Sequence, residues 1–348
     1  MEIFRRQPPP DRRRPCALTI GNFDGMHVGH RAVIAMLRKN AHARGLPVCV
    51  LTFEPHPREY FASLAIAAGR PDATAPTRIS TLRDKIDALA DCGVDRVCIA
   101  RFDRSLASLS PQRFVEEILV GGLQTRYLLI GDDFRFGARR AGDYALLQQL
   151  AQPSGFELER LATIEREGER VSSSAVRAAL AAADFPLAAA LLGRPYSICG
   201  RVLHGRKLGR TLGFPTMNVR IPFARPAVHG VFVVRAHGLR EAPVPGVASL
   251  GTRPAVERNG QLLLETHLFD FDEPAYGRLV RVEFVAKLRD ERSFDSLDAL
   301  RAQIALDAHD AREMFAREAH DAREMFAREA QDAGEHLARP AVPPDFAD

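Results

Sequence analysis

A chain of 348 residues that is 46% hydrophobic and 26% charged has ordinary globular composition and room for two domains. Its net charge of +4 is mild, no apolar segment follows the N-terminal arginines as a secretion signal would, and no uncharged apolar run is long enough to span a bilayer. These features predict a cytoplasmic protein without a membrane or nucleic-acid partner. Much of the positive charge lies in Arg5, Arg6 and Arg12 to Arg14, and residues 1–15 read as a solvated, poorly ordered basic tail. Cys16, Cys49, Cys92, Cys98 and Cys199 form no CxxC pair and read as reduced core thiols.

From residue 16 to 184 short apolar runs alternate with helical stretches. Strands are predicted at 17–20, 48–53, 96–100, 127–130 and 156–161. Helices are predicted at 28–43, at 80–90 with Ser80 as cap, and at 111–119 with Ser110 as cap and Pro111 in the first turn. Nearly continuous apolar strands alternating with helices imply a Rossmann-like, doubly wound parallel sheet, whose ligands bind beyond the carboxyl ends of the strands. Three turns fall at such ends and are expected to converge on one crevice: residues 21–30, 53–57 and 131–137.

The texture changes after Pro195. Runs at 231–234, 262–264 and 279–284, separated by Gly, Pro and Asn, suit an antiparallel β-barrel or sandwich over about 185–308. The last segment, 309–348, is helical at first and repeats itself, because the eleven residues His309 to Ala319 recur unchanged as His320 to Ala330. That period keeps Ala308, Ala311, Phe315, Ala319, Ala322, Phe326 and Ala330 on one slowly drifting stripe. The stripe fits either an oligomerisation helix or a terminal helix lengthened by tandem duplication, and Gly334 with the prolines after it is expected to end it.

The chemistry begins in Gly21-Asn22-Phe23-Asp24-Gly25-Met26-His27-Val28-Gly29-His30, where an apolar strand runs through a Gly-rich turn into a helix. Unpaired N–H groups at such a helix start attract an anion, and His27 and His30, one turn apart, can both donate to phosphate oxygens. A zinc pair is disfavoured because no further ligand lies nearby at suitable spacing. This decamer resembles the HxGH signature of the nucleotidyltransferase superfamily, in which the histidines stabilise charge on the phosphates as pyrophosphate leaves an α-phosphorus. Gly131-Asp132-Asp133-Phe134-Arg135-Phe136-Gly137 puts two phenylalanines on one side of a turn, where a flat ring stacks or where both simply join the core. Ser172, Ser173 and Ser174 precede a helix with Arg177 one turn inside; hydroxyls there cap the helix, and with a guanidinium they also suit phosphates.

In the second domain, Gly205-Arg206-Lys207-Leu208-Gly209-Arg210-Thr211-Leu212-Gly213-Phe214-Pro215-Thr216-Met217-Asn218 is a basic, glycine-rich loop without Walker A spacing. Thr216 and Asn218 offer oxygens on one side of an extended segment, suitable for Mg²⁺. The segments 21–30, 52–57, 131–142 and 172–177, followed by 200–218, 230–234, 246–254, 265–271 and 276–294, together resemble the bacterial bifunctional riboflavin kinase/FMN adenylyltransferases, over about residues 17–315. Ser174, Met217 and the pair Ser249-Leu250 depart from the usual residues of that family.

The resemblance implies two ATP-consuming reactions with riboflavin, FMN and ATP as ligands: riboflavin to FMN in the barrel, then FMN to FAD in the α/β domain. It implies Glu265 as general base on the ribityl 5′-hydroxyl, Thr216 and Asn218 on Mg²⁺, and Gly205, Lys207, Gly209, Arg210, Gly213 and Pro215 around phosphates. In the first domain it implies His27, His30 and Arg177 in catalysis. Gly21, Asn22, Phe23, Asp24, Gly29 and Ser172 to Ser174 would then contact the nucleotide, and Asp132, Asp133, Phe134, Phe136 and Gly137 the flavin. The other class considered is a flavin-binding sensor fused to an adenylyltransferase.

Overall fold

The computed structural model describes residues 1–161, 165–166, 169–204, 209, 212–251 and 262–337. Strands β1 (Glu2–Phe4), β2 (Cys16–Ile20), β3 (Val48–Glu54), β4 (Arg96–Arg101), β5 (Thr125–Gly131) and β6 (Glu157–Leu161) form one sheet in the order β1-β4-β3-β2-β5-β6. Every pairing in it is parallel. The central strands are buried on both faces, one against Cys49, Leu51, Cys98 and Leu128, the other against Val50, Val97, Tyr127 and Leu129. That double burial is why their sequences run apolar without alternation.

Helices α1 (Val28–Ala43), α2 (Pro57–Ala67), α3 (Leu82–Asp91), α4 (Arg104–Ala107), α5 (Pro111–Arg113) and α6 (Tyr144–Ala151) lie between the strands, with α7 (Ser173–Ala181) and α8 (Phe185–Leu192) leading to the second unit. A small hairpin, β7 (Glu165–Arg166) and β8 (Glu169–Arg170), precedes α7. Ser110 caps α5 as expected, and from Phe114 to Gly122 the chain continues as a wider-turned π-helix. Two expectations for this first domain are corrected. The N-terminal residues are no free tail, because β1 pairs with β4, Phe4 is buried and Arg13 donates to the Gly121 carbonyl. Thr81, not Ser80, caps α3, and Asp84 returns the bond to complete a capping box.

The second unit is a closed barrel of β9 (Ser197–Leu203), β10 (Thr216–Ile221), β11 (Gly230–His237), β12 (Val244–Leu250), β13 (Leu262–Leu268) and β14 (Leu279–Arg289), ordered β10-β13-β12-β11-β14-β9 and antiparallel throughout. Val219, Ile221, Val234, Ala248, Leu264 and Val282 fill its interior. A final helix, α9 (Leu297–Leu337), runs through Gly334 instead of ending there. Its first repeat seats Ala308 and Ala311 against Val231, Val233 and Val247 on the outside of the barrel, with Met314 and Phe315 packed alongside. In the second repeat Met325 is 54% exposed.

Candidate active sites

The turn after β2 is held in an unusual backbone path, with Phe23, Gly25 and Met26 all at positive φ. Gly25 is required twice over: its φ is +85°, and a Cβ there would lie 2.8 Å from Ile79 Cγ2. His27 is the N-cap of α1, and its Nδ1 accepts from the His30 backbone N–H at 3.3 Å. An imidazole that accepts at Nδ1 carries its proton on Nε2, so His27 is fixed as a neutral Nε2–H donor. Burial lowers its pKa to about 4, and burial pushes His30 well below the usual histidine range. The two rings stack with centroids 3.7 Å apart, with Phe23 behind them at 5.0 Å from His30.

His56, in the turn after β3, repeats this device. It caps α2 by accepting from the Arg58 N–H at Nδ1, and burial lowers its pKa to about 4. Thr52 donates to the Asn22 carbonyl at 3.2 Å and receives the Lys85 amine at 3.3 Å. Lys85 is 2% exposed; burial, then Arg78, lowers its pKa to about 8. The Asn22 Oδ1 and His30 Nδ1 atoms are buried without a protein partner, which suits a ligand or water in this crevice.

Asp24 and Arg177 occupy places other than those expected. The Asp24 carboxylate, 2% exposed, accepts from the Ile79 and Ser80 N–H groups and pairs with Arg177 at 2.5 Å. It therefore faces protein donors and not a phosphate, which it would repel. Arg177 Nε donates to the Thr77 carbonyl at 2.6 Å. Ser172 caps α7 and the Ser173 hydroxyl donates to the Asp24 carbonyl, while Ser174 is exposed. The phenylalanine pair splits as well. Phe136 is buried against Phe114 and fills the space where a Gly142 side chain would sit, whereas Phe134 is half-buried and stacks on it at 5.6 Å. Asp132 and Asp133 are exposed at the same turn, beside Gly137 at φ +72°.

The barrel site is built by register. Asn218 lies opposite Glu265, which lies opposite Ser249, and Thr216 lies opposite His267. Their sequence neighbours Met217, Val219, Leu264 and Ala248 point into the core, so this row stands on the outer face. Glu265 is exposed, while Asn218 is 5% exposed. The loop before β10 folds over Thr216: the Phe214 N–H donates to the Gly209 carbonyl at 2.7 Å, and a Cβ on Gly209 would lie 2.3 Å from the Phe214 carbonyl. Gly213 is at φ +87°, and the Pro215 carbonyl meets His267 Nδ1 at 2.9 Å. Gly205, Lys207 and Arg210 lie outside the described residues. Ser249 donates to Glu291, a carboxylate the sequence reading passes over.

Other residues that the sequence reading passes over are Lys85, Arg78 and the aromatic group of Phe53, Tyr60, Phe61 and Phe102 at the ends of β3 and β4, with Phe61 half exposed. Lys85 leaves a signal, since a lysine interrupts the apolar stripe of α3 between Leu82 and Leu89. Arg78 sits in a loop with no periodicity and leaves none.

Two family models cover most of the chain: FAD synthetase matches residues 10–175 and riboflavin kinase residues 192–315. The bifunctional riboflavin kinase/FMN adenylyltransferase of Escherichia coli K12 is 48% identical over 300 residues, 86% of this chain and 93% of that protein. The chain belongs to the bifunctional riboflavin kinase/FMN adenylyltransferase family. A Pseudomonas fluorescens member is 47% identical over 87% of this chain and 94% of its own length. A crystal structure from Streptococcus pneumoniae named macrolide-efflux protein superposes with a TM-score of 0.66 at 27% identity, over 88% of this chain and 96% of that one. In the present chain no helix among the described residues is long and apolar enough to cross a membrane. The enzyme makes FMN from riboflavin and ATP, and FAD from FMN and ATP.

Proposed function

We propose that the crevice lined by His27, His30 and the start of α7 is where FMN is adenylylated, and that the outer barrel face with Thr216, Asn218 and Glu265 is where riboflavin is phosphorylated. The observation carrying the first assignment is the capping geometry that locks His27 as a neutral donor at the end of a parallel strand. In this reading an FMN phosphate oxygen attacks the α-phosphorus of ATP and pyrophosphate leaves. Nε2–H of His27, His30 and the free N–H groups of the two helix starts stabilise the growing charge without reorganising. Gly21, Asn22 and Gly29 line the path of the nucleotide, and Ser172 to Ser174 its phosphates. Arg177 supports the turn through Asp24. Phe134, with Phe136 packed behind it, offers the flat ring to the isoalloxazine, flanked by Asp132, Asp133 and Gly137.

In the barrel, Glu265 takes the proton of the ribityl 5′-hydroxyl as its oxygen attacks the γ-phosphorus and ADP leaves. The loop of Gly209, Gly213 and Pro215, with Gly205, Lys207 and Arg210, is proposed to cradle the phosphates. Among the described residues no cluster of three or more His, Cys, Asp or Glu suits a metal by itself. A Mg²⁺ here would rest on the neutral oxygens of Thr216 and Asn218 together with nucleotide phosphates, and would neutralise phosphate charge. Hard neutral oxygens fit that ion, and the Phe214 carbonyl, 2.3 Å from where a Cβ would sit, leaves room for no larger residue at Gly209 beside Thr216. Two ATP-consuming sites and five free cysteines support a cytoplasmic setting.

Incubating the pure protein with riboflavin, ATP and Mg²⁺ and separating the flavins tests the reading, with FMN followed by FAD as the expected products. FMN without FAD would refute the first site, and no FMN would favour a barrel that senses flavin.

A further inference from the structure

The residues between Thr77 and Thr81, which lead into α3, touch both halves of the molecule. On the barrel side, the Arg78 N–H donates to the Arg225 carbonyl at 2.7 Å and the Ala227 N–H donates to the Arg78 carbonyl at 3.1 Å, a short parallel bridge around Pro226. The Arg225 guanidinium donates to the Ala75 carbonyl, and the Arg78 guanidinium lies 5.9 Å from the centre of the Phe223 ring. Ile79, 1% exposed, packs into the apolar cluster of the barrel and α7–α8.

On the other side the same short strap holds both turns of the first site. Arg78 makes two bonds to the Glu54 carboxylate, at 3.0 and 2.8 Å, and one to Glu59 at 3.3 Å, fixing the turn that carries His56. The Ile79 and Ser80 N–H groups donate to Asp24, and the Ser80 hydroxyl accepts the Gly25 N–H at 3.0 Å. Ile79 itself presses on Gly25. Beyond the strap, Arg194 donates to the Gly25 carbonyl and Asp84 accepts the Cys199 N–H of β9.

We propose that the barrel segment Phe223 to Ala227 is a positioning element of the adenylyl-transfer site, acting through the strap on the turn that carries His27 and His30. Three of the four residues from Phe23 to Met26 have positive φ and the turn has no ladder of its own, so its shape must be imposed from outside. The strap supplies that constraint, and the barrel anchors the strap. Preorganised donors are sensitive to such support, because a misplacement of about 1 Å costs on the order of 100-fold in rate. The two activities thus share a mechanical connection while sharing no catalytic residue. This inference rests on reading the His27–His30 turn as the site of adenylyl transfer.

The test is the double variant Phe223→Ala/Arg225→Ala in the full chain, assayed separately for FAD from supplied FMN and for FMN from riboflavin. The expected result is a fall of about tenfold or more in kcat for FAD formation. KM for FMN and ATP should stay nearly constant, and so should riboflavin phosphorylation. Hydrogen exchange should quicken at the Ile79 and Ser80 amides while β2 and β3 keep their protection. Arg78→Lys, which keeps the backbone bridge and the charge but loses the fork that reaches Glu54 and Glu59 at once, should fall between the double variant and the wild type. Unchanged kcat for FAD formation, or an equal loss of both activities with faster exchange throughout the sheet, would overturn the proposal. His30→Ala in the same assay separates the two ideas: if it leaves FAD formation intact, the site assignment fails, whereas if it abolishes FAD formation and the double variant does not, only the strap fails.

Discussion

The two proposed sites are built by opposite constructions. In the parallel sheet the proposed chemistry sits beyond strand ends, where buried histidines cap helices, are kept neutral by desolvation, and face orphaned polar atoms in a crevice. In the barrel it sits at mid-strand positions of the outer face, where period-two alternation lifts Thr216, Asn218 and Glu265 away from the core and leaves Glu265 exposed. The contrast teaches that a parallel sheet supplies buried donors with fixed protonation, while a barrel wall supplies oxygen ligands and an exposed carboxylate.

The largest way to break this comparison lies in the barrel. Asn218→Ala should lower riboflavin phosphorylation roughly 10–100-fold, by analogy with lost metal support, and leave adenylylation of supplied FMN intact; a matching loss in both reactions would show that the faces are not independent. In the sheet, Asp24→Asn removes the charge that Arg177 and two N–H groups converge on. It should cost on the order of 3 kcal/mol of stability in denaturant titration and reduce FAD formation more than FMN formation.

A third test uses pH. His27 and His56 have folded pKa values near 4 against an ordinary 6.5, so the unfolded chain binds more protons between those values. Stability of the first domain should then fall as pH drops from about 6.5 to 4, by at most on the order of 3 kcal/mol per histidine. The loss should shrink in His56→Gln, whose amide keeps an acceptor but does not titrate. The smallest effect is expected from deleting residues 320–330, which leaves the contacts of Ala308 and Ala311 with the barrel in place. Both activities and the melting temperature should stay close to wild type, and light scattering of the two proteins would show whether the second repeat joins copies of the chain.

Much of this architecture is legible in the sequence because local and global signals agree. Four of the five longer strands of the sheet read as apolar runs, β6 being charged and alternating, and the helix over residues 28–43 has the bounds the sequence predicts. Where signals conflict, the sequence misleads. The strand Glu2–Phe4 is too short and too close to arginines to show a pattern, and only its pairing with β4 reveals it. Ser80 and Thr81 are equally good caps in isolation, and the choice falls to Thr81 because Ser80 is taken by Asp24 and Gly25. The strand Val244–Leu250 contains Pro245 and Gly246, both strand breakers, yet it pairs on both sides in the barrel. Gly334 costs the last helix only about 1 kcal/mol, too little to stop it.

The sites follow the same rule. Motif residues contiguous in sequence are found together, whereas Lys85, Arg78 and Glu291 reach them only through the fold. Asp24 shows the converse: motif membership suggests phosphate contact, while the structure makes it an internal anchor for Arg177 and the strap.

The claim that two separate ATP sites, with no shared catalytic residue, coexist in one chain is tested most directly by assaying both half-reactions in Glu265→Ala and His30→Ala. The account predicts reciprocal losses: Glu265→Ala makes no FMN from riboflavin yet adenylylates supplied FMN, and His30→Ala makes FMN yet converts almost none of it to FAD. Loss of both activities in either variant, with the fold intact by circular dichroism, would contradict it.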